Sequence, residues 1–398
     1  MTCAHFARVV GGEFPISEEE FRQWTSACDP AAVGAIEAKF GADRSAAVWL
    51  PFGRNAIGLA LDLCGVDSQT TIALTAYQCP AAARKIDSRT HRRRFYATDE
   101  ALNPVPDDFL KQARGAQAVF TTVYFGAPAI ERHLSELAEE LRGRGESPWI
   151  IEDRVMCSPA PLCPDAARRC DFAILSFHKQ YPVPDGALLV ACSDRARTVL
   201  NRFDRTSRIR PATASEHAHL TKKVSAKRKR AAWIASLPNV DDAELNGLRE
   251  SAESEAALDQ WRDTAEADYV AGSRGSALII QSRDVQADLG ALQRKGEFLL
   301  SLLKGRQWSS VSVPLVPGAG IGVPIWSNRR DEIRAAAGDS GVFLPVHWPE
   351  HEFFPLADND LKWLQNEITL PTHLHISDAD TRHMVDAISV ADLICTRT

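Results

Sequence analysis

The sequence predicts an α/β fold: a mainly parallel sheet covered by helices, followed by a smaller C-terminal α/β lobe. Three observations predict it. Between residues 46 and 200, short apolar strands alternate with helical stretches. Those strands lack a polar face, which implies a sheet covered on both sides and therefore mostly parallel. At 398 residues, 45% hydrophobic and 25% charged, the chain can bury a sizeable core and divide into more than one lobe.

Residues 1–45 are assigned to an N-terminal arm and 46–200 to the large domain. Within that domain AAVWL (46–50) is a strand, a helix runs from Asn55 to Cys64, and TIALTAY (71–77), HRRRFYA (91–97) and AVFTTVYFG (118–126) are strands. A helix crosses IERHLSELAEELRGRG (130–145), and the strands WIIEDRV (149–155), FAILSFH (172–178) and GALLVAC (186–192) complete the set. Residues 201–305 hold SAKRKRAAWIASL, ELNGLRESAESEAALDQWRDTAEADYV and ADLGALQRKGEFLLSLLKG, so that connecting region is mainly helical. From 306 to 398 the strands VSVPLV, GVPIW and GVFLPV alternate with the helices RDEIRAAAG and DADTRHMVDAI, giving the small C-terminal domain. No internal repeat or low-complexity linker interrupts this order.

The formal net charge of −6 offers no global attraction to nucleic acid or to an anionic membrane. No apolar run reaches the roughly 18 residues that span a bilayer, and MTCAHFARVVGGEF has no basic segment ahead of an apolar one, so a cytoplasmic protein is expected. The nine cysteines include no CxxC pair, and Cys157, Cys163 and Cys170 match no common zinc spacing; they are read as reduced thiols used in packing. GGEF (11–14) and GAGIG (318–322) are read as turns.

Ligands on such sheets bind at the carboxyl ends of the strands, and three features fall there. GRNA (53–56) opens a helix, whose free N–H groups and positive dipole end form a natural seat for a phosphate. IIED (150–153) ends a strand on carboxylates that could pair with a protonated ring nitrogen, and SFHK (176–179) ends the next on Lys179. A partly desolvated lysine at such a place suits Schiff-base chemistry. Singly, these are also a turn glycine, a capped loop and an exposed lysine. Together, phosphate seat, acid and amine describe a pocket for pyridoxal 5'-phosphate (PLP).

In that order the motifs resemble the fold-type I PLP-dependent transferases, specifically the DegT/DnrJ/EryC1/StrS group of aminotransferases. FGRNAIGLALDLCGV is similar to the group's phosphate-loop helix, AVFTTVYFGAPAIERHLSELAEEL to its strand, loop and helix ahead of the acid, and WIIEDRV to the strand carrying the aspartate. SFHKQYPVPDGALLV resembles the cofactor-lysine segment, and VFLPVHWP and ITLPTHLHISDADTRHMVDAI the C-terminal elements. The resemblance implies Lys179 and Asp153 as catalytic residues, with Gly53, Arg54, Asn55 and Ser176 at the phosphate and Tyr77 stacked on the ring. A two-residue slip in TAYQCP would put Cys79 there instead. It further implies a homodimer acting on a small-molecule amino donor and a carbonyl acceptor such as a keto-sugar, with no nucleic acid or membrane partner.

The chain departs from the group in three ways. Met156 stands where a Gln or His is usual, the Ser176 to Lys179 spacing is short, and no segment between 200 and 240 matches the one that offers a partner subunit's Asn. Dehydration, decarboxylation or carbon–carbon bond chemistry with the same cofactor therefore stays open, as does a non-catalytic regulatory relative. His178 is expected to face away from Lys179 on a regular strand. The basic run KKVSAKRKR (222–230) reads as a solvated helix face, with a phosphate-facing role as the alternative, and His347, His351, His373 and His375 as loop and interface residues.

Overall fold

The computed structural model describes residues 9–11, 15–26, 31–41, 46–162, 165–236, 269–304, 306, 308–348 and 354–397 of the chain. Seven strands build its main sheet: β1 (Ala47–Leu50), β2 (Ile72–Leu74), β3 (Arg93–Phe95), β4 (Ala118–Thr122), β5 (Trp149–Asp153), β6 (Phe172–Ser176) and β7 (Ala187–Ala191). They lie in the order β1-β7-β6-β5-β4-β2-β3. β3, β2, β4, β5 and β6 are parallel to one another, and β7 runs antiparallel to both β6 and β1. Every residue of β1, β2, β4, β6 and β7 is buried, which is why no alternation appears in their sequences. The edge strand β3 differs: Arg93 and Arg94 keep its open side charged and solvated.

Helices cover both faces. The helix Gly53–Leu63 is buried over most of its circumference and packs with Ile72, Phe120, Ile151 and Ile174 in one core cluster. On the other face, Trp24, Ile36 and Phe40 of the N-terminal arm pack against Trp49, Leu188 and Val190 of β1 and β7. The arm thus contains two packed helices, Glu18–Ser26 and Ala31–Phe40. Helices Pro80–Asp87 and Pro106–Ala113, absent from the sequence reading, each start with proline at the first turn, where its missing N–H costs nothing.

After β7 the described residues form the helices Asp194–Arg202, Ala214–Ser236, Arg274–Gln281 and Val285–Lys304. Most of ELNGLRESAESEAALDQWRDTAEADYV lies outside the described residues, and its last two, Tyr269–Val270, form a strand beside Ile209–Arg210. The C-terminal lobe has a three-stranded antiparallel sheet of Val311–Ser312, Gly322–Ser327 and Glu367–Pro371. Helices Val285–Lys304, Arg330–Gly338 and Asp378–Arg397 close over it around Leu299, Ile325, Ile333, Leu370 and Ile388. Val342–Phe343, expected as a strand of this lobe, pairs instead with Val10–Gly11 of the arm.

Candidate functional site

The carboxyl ends of β5 and β6 and the start of the helix Gly53–Leu63 converge on a cavity of about 150 Å³. Phe52 caps that helix in extended conformation and has no side-chain acceptor of its own for the opening turn, which lines the cavity at Gly53 and Arg54. Gly53 allows the approach: a Cβ there would lie 3.0 Å from Val155 Cγ1. Arg54 lies with its guanidinium carbon 5.2 Å from the centre of the Phe52 ring and lines the same space. Asn55 does not line it; it is buried, and its Oδ1 has no hydrogen-bond partner among the described residues.

Asp153 ends β5 with its carboxyl in the cavity, where Oδ1 accepts the Val155 N–H at 2.9 Å. Burial pushes it up to about 6, against the opposing pull of that N–H and of Lys179, while Glu152 adds to the rise. Its neighbour Glu152 points to the opposite face, as strand alternation demands. There Arg154 Nη1 donates to it at 2.8 Å and Arg169 donates through two nitrogens, while Arg154 also reaches Glu131 at 2.6 Å. Burial alone would raise Glu152, but the two guanidiniums win and hold it below the usual carboxylate range. One carboxyl is locked in ion pairs, the other faces the site.

β6 stops at Ser176, and a helical turn follows, with Tyr181 N–H donating to Phe177 carbonyl at 2.8 Å. This corrects the expectation for His178. The chain is no longer a regular strand at that point, so Phe177 turns into the core beside Phe40 and Trp49 while His178 and Lys179 both face the site. His178 Nδ1 lies 3.1 Å from Ser176 Oγ, which also lines the cavity.

Tyr77 is not among the lining residues. Its ring is fully buried between Tyr124, Trp348 and Trp363, and its hydroxyl donates to the His347 carbonyl at 3.1 Å, so it cannot stack on a group in the cavity. Cys79, at the N-cap of the helix Pro80–Asp87, lines the space instead. The proline that starts this helix was the signal: it places the preceding residue at the cavity edge.

A second cavity of about 520 Å³ shares His178 and Lys179 with the first and extends to the C-terminal lobe. Its far walls include Lys223, Lys227, His347 and His373. Two expectations change here. Lys223 and Lys227 are buried on the cavity side of the helix Ala214–Ser236 while Lys222 is exposed, so the basic run is only partly a solvated face. His347 and His373 are cavity residues; His351 lies outside the described residues. Burial holds His373 well below the usual imidazole range, with His375, Lys227 and His347 adding to the effect. Met156, where the group usually offers a polar side chain, is fully buried in the core.

No family model matches the chain. No curated protein matches it either. Solved structures do. It is similar to the sugar aminotransferase CalS13 from Micromonospora echinospora, with a TM-score of 0.65 at 14% identity over 95% of this chain and 98% of that one. The DegT DnrJ EryC1 StrS aminotransferase from Brucella abortus matches with a TM-score of 0.61 at 14% identity, over 94% of this chain and 96% of that one. Spr1654 from Streptococcus pneumoniae, in its PLP form, matches with a TM-score of 0.63 at 13% identity, over 97% and 99%. The chain therefore has the fold of these aminotransferases, over nearly its full length.

Proposed function

We propose that the chain is a PLP-dependent aminotransferase acting on a keto-sugar or another small carbonyl metabolite. One observation carries the reading: Lys179 stands where the two cavities meet, with Asp153 and a helix N-terminus in the smaller one and room for a substrate in the larger. The residues of the smaller cavity suit the cofactor. Asp153 is a carboxyl raised by burial, for which a protonated ring nitrogen is a natural partner, and Gly53 lets the helix start sit close against Val155 in the cavity wall, where a Cβ would press.

PLP, when bound, supplies an electron sink for the carbon attached to the amine. Gly53, Arg54 and Ser176 would bind its phosphate, through backbone N–H, guanidinium and hydroxyl donors. Asp153 would keep the proton on the ring nitrogen. Lys179 Nζ would hold the cofactor covalently, yield its place to the incoming amine, and carry the proton to and from the substrate carbon. The same reading carries a homodimer, as the resemblance implies, and the cytoplasm as its place. Among the described residues no helix is long and apolar enough to cross a membrane.

Borohydride reduction of the PLP-treated protein tests the assignment. Covalent label is expected in the peptide containing Lys179 and lost in Lys179→Ala. Label at another lysine overturns the site, and a protein that takes up no PLP favours the non-catalytic reading. The dehydratase, decarboxylase and carbon–carbon bond alternatives keep the same label and differ in what amino acids do to the bound cofactor.

A further inference from the structure

Lysine side chains only donate hydrogen bonds. The larger cavity is lined by Lys179, Lys223 and Lys227 together with apolar side chains such as Ile321 and Phe343, and among the described residues no Asp, Glu, Ser, Thr, Asn or Gln lines it. A substrate hydroxyl that seeks a side-chain acceptor there finds only the three histidines, His178, His347 and His373. His178 Nδ1 meets Ser176 Oγ, a hydroxyl that can donate or accept, so this contact does not fix which ring nitrogen carries the hydrogen, and His373 is buried to 9% exposure.

The ring of His347 is oriented by a chain of bonds. Its backbone N–H donates to Glu367 Oε2 at 2.6 Å, and Glu367 is fully buried. The Thr369 hydroxyl donates to Glu367 Oε1, and His347 Nδ1 lies 2.7 Å from Thr369 Oγ1. Threonine has a single hydroxyl hydrogen, and the carboxylate takes it. Thr369 Oγ1 is then left as an acceptor, and His347 Nδ1 must be the donor. The neutral ring therefore carries its hydrogen on Nδ1 and its lone pair on Nε2. Phe125 meets the ring edge-on at 5.7 Å, which holds its plane, and the side chain, 16% exposed, lines the cavity.

We infer that His347 determines substrate specificity: its Nε2 accepts a hydroxyl of the substrate, so the site takes a hydroxylated carbonyl compound in preference to the deoxy analogue. This rests on the aminotransferase reading above. Glu367 and Thr369 act through His347 and are positioning residues.

Two measurements test it. Nitrogen-15 NMR of the histidine rings in the cofactor-free protein, at a pH where imidazole is neutral, is expected to show the Nδ1–H form for the resonance that vanishes in His347→Gln; Thr369→Val should mix the two forms. Then the cofactor in its amino form, bound to the protein, is reacted with glyceraldehyde and with propionaldehyde, following the visible absorbance. His347→Leu is expected to lower the ratio of the two rates by about tenfold or more, because a buried acceptor no longer distinguishes the hydroxyl. His347→Gln, whose amide oxygen can accept in its place, should restore part of the ratio. An unchanged ratio in His347→Leu, with borohydride label still at Lys179, overturns the inference, and so does an Nε2–H ring in the wild type. Failure of the parent reading looks different: the wild type takes no label at Lys179, and the inference falls with it.

Discussion

Asp153 is the residue on which the cofactor reading is most exposed to measurement. Its folded value of about 6 lies above the roughly 3.9 of an unfolded aspartate, so the folded state binds this proton more tightly. The sign follows: without a cationic partner, Asp153 costs stability, the cost growing as pH rises from about 4 to about 6 and reaching on the order of 3 kcal/mol above that. Asp153→Asn keeps an oxygen for the Val155 N–H and removes the charge. In the cofactor-free protein it should therefore be more stable than wild type at pH 8 and equal to it near pH 3.5, by urea denaturation at both. A variant less stable than wild type at pH 8 would show that the carboxylate is already compensated. With cofactor present the same substitution should cut turnover by roughly three orders of magnitude, the loss of a charged hydrogen bond at a buried carboxyl. Gly53 makes a second residue-scale prediction. Gly53→Ala places a methyl 3.0 Å from Val155 Cγ1 and should cost about 1–3 kcal/mol and weaken PLP binding, while adding Val155→Ala should recover both. A double variant no better than Gly53→Ala would place the strain elsewhere.

β5 shows what an element adds to its residues. Adjacent carboxyls on one strand face opposite sides, so Glu152 enters the Arg154, Arg169 and Glu131 network and Asp153 enters the cavity. Glu152→Gln leaves two guanidiniums undercompensated in the interior and should cost about 3 kcal/mol or more of stability with a smaller effect on turnover per folded molecule, the reverse of Asp153→Asn. Chemical denaturation beside active-site titration separates the two, and the opposite ranking would mean that the strand is read one residue out of register. Strands of this sheet were legible because burial on both faces leaves continuous apolar runs, and Lys179, Asp153 and Gly53 were legible because strand ends and helix starts are punctuated by Pro, Gly and charge. What was hidden depends on tertiary direction. The end of β6 at Ser176 turns His178 toward the site, yet SFHK reads equally well as strand. The helix Ala214–Ser236 was plain, but which of its lysines face inward depends on where the C-terminal lobe closes over it. Tyr77 and Cys79 differ by two residues, and the aromatic cluster that captures Tyr77 comes from Trp348 and Trp363, far along the chain.

The whole molecule places its two cavities between parts that are distant in sequence: β5, β6 and the helix Gly53–Leu63 line the smaller, proposed above for the cofactor, and the helix Ala214–Ser236 and the C-terminal lobe line the larger, proposed for the substrate. Among the described residues, only Lys179 and His178 line both. A lysine at such a junction can serve the cofactor and the substrate in turn, which is what transfer of an amino group asks of it. In that reaction the donor must leave its nitrogen on the cofactor before the acceptor arrives, so each half can be observed alone. The PLP-loaded protein, incubated with glutamate, glutamine and a panel of other amino acids without any acceptor, should lose its visible band for at least one donor, and a keto acid should restore it. Lys179→Ala should show neither change. If no amino acid alters the band while borohydride still labels Lys179, the donor half-reaction is absent, and the larger cavity serves dehydration, decarboxylation or carbon–carbon bond chemistry on the same cofactor.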